Sequence, residues 1–248
     1  MAIADDVRTA LDHGDLFVVY LPTVTLADDV CVGAEALVRW RRGNVVVTAA
    51  DFIPQIENTP LSGKITYWVM ETVAAELGSW LDANPQAFVS INVPPEILGR
   101  GGLEYAAIRS GLRDRVPQIV LEVTERGVPD RLGLDALNLM SERGVRLALD
   151  DTMLSGSNLA LLVRCKLDMI KLDTKVTAQL APDLPPPDWL AGLQALIRRS
   201  SLQVVAEGVE TEYQAKWLRA AGVQMAQGYL FSRPLPARAF QELYAGGR

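Results

Sequence analysis

Short runs rich in β-branched residues recur at 17–22, 33–38, 88–93, 119–125, 146–151, 169–173, 204–208 and 225–230, and each reads as a β-strand. Between several of them, apolar residues repeat at helical spacing. One stripe holds Ile65, Trp68, Val69, Thr72, Val73, Leu77 and Trp80, a second Leu132, Ala136, Leu139 and Met140, and a third Leu190, Leu193, Leu196 and Ile197. Strands alternating with helices predict βα units and a largely parallel sheet, with these stripes facing it and carrying no chemistry. One interval breaks the rule. Residues 23–32, with the turn-like Ala27-Asp28-Asp29, are too few for a parallel crossover, which needs a dozen or more, so the first two strands are expected to run antiparallel. The consecutive prolines of Ala181-Pro182-Asp183-Leu184-Pro185-Pro186-Pro187 forbid helix and central strand and predict an irregular loop. A short helix is expected at about 236–244.

Eight strands in 248 residues match the roughly 250 residues over which an α/β barrel runs as one unit, so residues 1–248 are read as a single domain. Hydrophobic residues make up 49% of the chain and charged residues 22%, enough to bury a large core without disulfides. The first sixteen residues carry Asp5, Asp6, Arg8, Asp12 and Asp15 and no continuous apolar core, so they read as neither signal peptide nor anchor, and no later stretch is long enough to span a bilayer. Cys31 and Cys165 lie far apart without metal-knuckle spacing and read as reduced, structural thiols, which points to the cytoplasm. A net charge of −6 argues against binding duplex nucleic acid. An acidic protein still binds phosphate where carboxylates hold a divalent cation.

Barrel enzymes place their chemistry at the carboxyl ends of the strands. There the sequence offers Glu35, Asn92, Glu122 and Glu125, Asp150 and Asp151, Lys171 and Asp173, Glu207 and Glu210, and Gln227. A carboxylate inside an apolar run such as Leu147-Ala148-Leu149-Asp150-Asp151 is costly unless it is paired or bound to metal. Oxygen donors without His or Cys suit Mg2+, Mn2+ or Ca2+ rather than Zn2+. His13, the only histidine, falls in the N-terminal segment, no strand end offers a His base, and no phosphate-binding glycine motif occurs.

These blocks resemble the EAL family of cyclic di-GMP phosphodiesterases. The matching segments, in order, are Glu35-Ala36-Leu37 within Gly33-Ala34-Glu35-Ala36-Leu37-Val38-Arg39-Trp40, Asp51-Phe52-Ile53-Pro54, Ser90-Ile91-Asn92-Val93, Leu121-Glu122-Val123-Thr124-Glu125, Leu149-Asp150-Asp151, Ile170-Lys171-Leu172-Asp173, Val205-Ala206-Glu207-Gly208-Val209-Glu210-Thr211 and Gln227-Gly228-Tyr229-Leu230-Phe231-Ser232-Arg233-Pro234. The resemblance implies a modified TIM (β/α)8 barrel with one antiparallel strand. It implies that Glu35, Asn92, Glu122 and Asp150 ligate one metal and that Asp151 helps hold a second. Lys171, Glu207 and Glu125 take catalytic roles in this scheme: a site lysine, a general base or second-metal ligand, and a tie between the site and the loop after Asp151. Leu37, Arg39, Asp51 and Gln227 are expected to face the substrate, with Arg39 suited to a phosphate and Gln227 near a metal-bound water.

The implied activity is hydrolysis of cyclic di-GMP to linear pGpG with two Mg2+ or Mn2+ ions, Ca2+ being inhibitory, in a weak homodimer. The chain departs from the family in two places. Where the family reads close to Asp-Phe-Gly-Thr-Gly-Tyr-Ser-Ser, this chain has Asp151-Thr152-Met153-Leu154-Ser155-Gly156-Ser157-Asn158, and a family Tyr-Gln-Pro is Tyr20-Leu21-Pro22. The altered loop predicts slow turnover, with a catalytically weak or inactive cyclic di-GMP receptor as the alternative.

Overall fold

The computed structural model describes residues 2–123, 129–152, 164–182 and 184–247, with the side chains of Ala2, Asp151 and Thr152 outside that description. Its strands are β1 (Leu16–Thr25), β2 (Cys31–Arg42), β3 (Val45–Thr48), β4 (Phe88–Val93), β5 (Ile119–Val123), β6 (Arg146–Thr152), β7 (Met169–Leu172), β8 (Gln203–Ala206) and β9 (Met225–Ala226). They form one sheet in the order β1-β9-β8-β7-β6-β5-β4-β2-β3, and an additional β1–β2 pairing closes it into an eight-stranded barrel, with β3 as an extra edge. The pairings from β2 through β4 to β9 are parallel. β1 is antiparallel to both β2 and β9, as the short connection between the first two strands requires.

The helices are α1 (Ala2–His13), α2 (Ala49–Phe52), α3 (Pro60–Ala83), α4 (Gly102–Ser110), α5 (Arg131–Glu142), α6 (Thr174–Thr177), α7 (Trp189–Arg199), α8 (Glu212–Ala221) and α9 (Ala237–Ala245). Local chemistry sets their starts. Thr59 caps α3 ahead of Pro60, and Thr211 with Gln214 forms a reciprocal capping box on α8. On α3, Ile65, Val69, Val73 and Leu77 are buried as the apolar stripe predicts. No helix among the described residues is long and apolar enough to cross a membrane.

Several expectations need correction. On α5 the stripe of Leu132 and Leu139 does not face the barrel: these side chains are 58% and 46% exposed. Gly133 and Leu137 are buried instead, with Leu134 and Met140 packed beside them, because the helix carries two competing apolar stripes and packs through the one that includes Leu137. The N-terminal segment is a helix whose Val7 and Ala10 join the core. The hairpin strand β3 has no counterpart in the expected set. Three strands stop short of their expected ends: β7 at Leu172, β8 at Ala206 and β9 at Ala226. Asp173 lies beyond β7 and caps α6, its Oδ1 accepting from the Lys175 amide at 2.6 Å. Cys31 and Cys165 are buried free thiols.

Two apolar layers hold the molecule together. The larger fills the space between barrel and helices, and a smaller one of Phe88, Val120, Ala148, Met169, Val205 and Met225 fills the barrel interior. Gly33 is fixed by the second layer, since a Cβ there would lie 2.6 Å from the Phe88 carbonyl oxygen and 2.8 Å from its ring. Gly33→Ala is therefore expected to cost about 1–3 kcal/mol, the usual range for overpacking. The check is a lowered urea midpoint at unchanged m-value, and an unchanged midpoint would contradict this packing.

Candidate functional site

Strand alternation builds the site directly above the apolar floor of the barrel. Two residues after Val120, Ala148, Met169, Val205 and Met225, on the same strand or its extension, come Glu122, Asp150, Lys171, Glu207 and Gln227. Asn92 stands four residues beyond Phe88, and Glu35 reaches the same level from β2. Glu35, Glu122, Asp150, Lys171 and Gln227 are all buried, and Asn92 is half-buried.

Lys171 is the centre on which these groups converge. Its Nζ lies 3.0 Å from Glu35 Oε2, 2.8 Å from Glu122 Oε2, 3.1 Å from Asp150 Oδ1 and 2.6 Å from Glu207 Oε1. The other oxygen of Glu35, Oε1, accepts from Asn92 Nδ2 at 2.8 Å. Gln227 Nε2 donates to Thr23 Oγ1 at 2.9 Å. The ammonium therefore occupies the meeting point of four carboxylates, and among the described residues no three acidic, imidazole or thiol side chains stand in ligating geometry around a shared point.

The electrostatics of this cluster favour a further cation. One ammonium faces four carboxylates in a low-dielectric interior, leaving excess negative charge. Burial by itself would lower Lys171, but Asp150, Glu122, Glu207 and Glu35 outweigh it and hold the ammonium well above its ordinary value. Burial, followed by the charge of Glu35, raises Glu122 well above the usual carboxylate range. Glu207 is pushed up to about 8, chiefly by burial and against the pull of Lys171. Among the described residues two buried acceptor oxygens, Asp150 Oδ1 and Gln227 Oε1, make no hydrogen bond, Asp150 Oδ1 lying 3.1 Å from Lys171 Nζ as an ion pair. A donor set of carboxylate and amide oxygens with unpartnered acceptors fits a hard divalent cation.

The remaining expected residues scatter around this centre. Leu37 and Arg39 follow Glu35 on the same face of β2. Arg39 is half-buried, donates from Nη1 to the Val38 carbonyl at 2.9 Å, and is lowered chiefly by burial. Leu37, Asn92 and Asp150 line a cavity of about 230 Å3 that extends to Ala50, Pro54 and Glu57. Asp51 is exposed, and its Oδ2 accepts from the Thr48 hydroxyl at 2.7 Å and amide at 3.2 Å. Leu21 stands opposite Glu35 in the β1–β2 register. Glu125, the side chain of Asp151 and residues 153–163 of the altered loop lie outside the described residues. Thr23 and Glu57 were not legible as site residues. Thr23 shows only as an inward position of β1 in register with Gly33.

The EAL domain family matches residues 4–234. An uncharacterized protein of Mycobacterium tuberculosis is 34% identical over 97% of this chain and 82% of its own length. The probable cyclic di-GMP phosphodiesterase PdeB of Escherichia coli is 33% identical over 94% of this chain, which spans 45% of that protein. MucR of Pseudomonas aeruginosa, a bifunctional diguanylate cyclase and cyclic di-GMP phosphodiesterase, is 31% identical over 96% of this chain and 36% of its own length. The MucR phosphodiesterase in complex with cyclic di-GMP superposes with a TM-score of 0.83 at 29% identity, covering 97% of this chain and all of that one.

The raised Glu207 carboxyl fixes the sign of a pH effect. A carboxyl whose folded value of about 8 exceeds its unfolded value of 4.5 contributes stability that is full below about pH 4.5 and is lost as pH rises through about 8. Glu122 acts in the same direction. In chelator, the urea midpoint of the protein is expected to fall between pH 6 and pH 9, and Glu207→Gln, which fixes the neutral form, is expected to flatten that slope. An equally steep decline in the variant would contradict the assignment.

Proposed function

Because the chain belongs to the EAL-domain family, we propose that it hydrolyses cyclic di-GMP to linear pGpG. The convergence of Glu35, Glu122, Asp150 and Glu207 on Lys171 at the carboxyl end of the barrel carries this reading. It takes residues 1–248 as one catalytic domain acting in the cytoplasm, with a concentration-dependent homodimer as its assembly.

Glu35, Asn92, Glu122 and Asp150 would hold one divalent ion, and Asp151 with Glu207 would help hold a second. Bound there, Mg2+ or Mn2+ supplies Lewis acidity toward a phosphoryl oxygen and a nucleophilic water at neutral pH. Lys171 offsets the carboxylate charge and keeps these side chains oriented. Arg39, with its planar fork, pairs with a phosphate of the ligand, and the cavity bounded by Leu37 takes one end of the molecule. Glu207, 2.6 Å from Lys171 at the mouth, would in its ionised form take the proton of the attacking water. Water oxygen joins phosphorus, the bond to the ribose 3′ oxygen breaks, and that oxygen leaves with the proton that Glu207 took from the water.

Turnover to pGpG is expected with Mg2+ or Mn2+ and is expected to stop in excess chelator or with Ca2+. Glu35→Gln should reduce kcat on the order of a thousandfold with the fold retained, as loss of a group acting on the transition state does. Leu21→Gln, which restores an amide beside Glu35, should tighten ligand binding about two- to tenfold, the worth of one hydrogen bond. Calorimetric binding of cyclic di-GMP without any pGpG after long incubation with Mg2+ and with Mn2+ would replace this reading with the receptor.

A further inference from the structure

The seam between β1 and β9 is short and antiparallel. Two residue pairs form it, Val24 with Ala226 and Thr25 with Met225, and the same register would next bring Thr23 beside Gln227. The backbone ladder ends before that step. The Gln227 amide donates to the Ala206 carbonyl at 2.8 Å and the Gln227 carbonyl accepts from the Val209 amide at 3.0 Å, so both main-chain groups are engaged away from β1. On its other side β1 shifts register against β2 between Thr23 and Val24, with Thr23 opposite Gly33 and Val24 opposite Cys31, an irregularity of the kind that re-aims a side chain.

Side chains make the contact that the ladder lacks. Gln227 Nε2 donates to Thr23 Oγ1 at 2.9 Å, and both residues are buried, at 2% and 1% exposure. They border one small interior cavity together with Lys171 and Glu122, which places Thr23 beside the acidic centre although it carries no charge. With Nε2 engaged, the acceptor end of the amide, Oε1, has no donor among the described residues. A carboxamide donates at one end and accepts at the other, so the partner of one end decides what the other end can do.

We infer that Thr23 is a positioning residue: its hydroxyl holds the Gln227 amide by the nitrogen and so leaves Oε1 to accept from the water that attacks phosphorus. The role of that water rests on the reading of the chain as a cyclic di-GMP phosphodiesterase. An oriented water lowers the barrier of the chemical step more than it changes ligand affinity, so loss of the Thr23 hydroxyl lowers kcat and leaves KM nearly constant.

The test pairs steady-state hydrolysis with a side-chain amide spectrum of protein carrying isotope-labelled glutamine, for wild type, Thr23→Val, Thr23→Ser, Gln227→Ala and the double variant Thr23→Val/Gln227→Ala. Thr23→Val keeps the shape of the side chain and removes the hydroxyl, and it should lower kcat about ten- to a hundredfold with KM within about threefold of wild type, the usual loss for a group that orients a site residue. Thr23→Ser should stay within about threefold in both, and Thr23→Val should lower kcat by less than about twofold further once Gln227 is alanine. The Gln227 signal, identified by its absence from Gln227→Ala, should match between wild type and Thr23→Ser and should move and lose its protection from exchange in Thr23→Val. An unmoved signal, an unaltered kcat in Thr23→Val even with a lowered urea midpoint, or an equal loss of kcat in the Gln227→Ala background overturns the inference while leaving the phosphodiesterase reading intact. A wild type that makes no pGpG overturns that reading, and the Gln227 signal in Thr23→Val then decides by itself whether Thr23 positions the amide.

Discussion

The site depends on one arrangement, a single ammonium buried among four carboxylates at the top of a barrel. Such a cluster is stable only where the surrounding strands are fixed, because each charge has given up water and is repaid by the geometry of its neighbours. The barrel supplies that rigidity through its apolar floor. Val120, Ala148, Met169, Val205 and Met225 lock the strands, and the next inward position on each line carries the charge or amide. The polar layer is thus a consequence of strand periodicity operating on a packed interior, and its negative excess suits the site to a hard cation and an anionic ligand.

The reversed first strand shapes the rim around this layer. Because β1 runs antiparallel to β2 and β9, its amino-terminal end lies at the mouth, where Leu16 pairs with Trp40 and Phe17 with Arg39. Tyr20 is bridged to Leu235, its amide donating to the Leu235 carbonyl at 2.7 Å and the reverse bond measuring 2.8 Å. Those two bonds return the segment after β9 to the mouth, so residues close to the end of the chain border residues close to its start. Tyr20 is anchored in turn by its hydroxyl, which donates to Glu76 Oε2 on α3 at 2.7 Å. Rim and core are connected through one side chain.

Much of this was legible in the sequence for identifiable reasons. Strand positions and the antiparallel first pair followed from β-branched runs and from one loop length, because strand pairing obeys hard limits on connection geometry. Glu35, Glu122, Asp150, Lys171 and Glu207 were legible as candidates because charged residues inside apolar strands are costly without partners, and Asn92 and Gln227 because they fall at the carboxyl ends of strands. What escaped was of a different kind. The face of α5 escaped because two apolar stripes compete and tertiary packing selects between them. Strand β3 escaped because Val45-Val46-Val47 is short and its valines are mostly exposed. The centring of four carboxylates on Lys171 escaped because pattern shows which residues share a level of the barrel, not which atom they meet around. The capping of α2 by Asp51 is set by a local hydrogen bond that carries no periodicity.

The distribution of chemistry across the mouth has a kinetic meaning. The cavity beside Leu37 measures about 230 Å3, below the roughly 300–1,000 Å3 of a site that encloses a drug-sized ligand. On the proposed reading, a cyclic dinucleotide would lie across the mouth, with its outer parts against Leu37, Arg39 and the rim and its phosphate above the acidic centre. Contacts at the rim persist from ground state to transition state and set affinity, whereas charge at the centre changes only as the phosphorus is attacked. Binding and turnover are accordingly assigned to different residues of one barrel end. On the proposed reading the rim keeps Leu37 and Arg39 but has Leu21 in place of an amide, while the carboxylates that would act at the phosphorus are gathered around Lys171 by the barrel strands themselves.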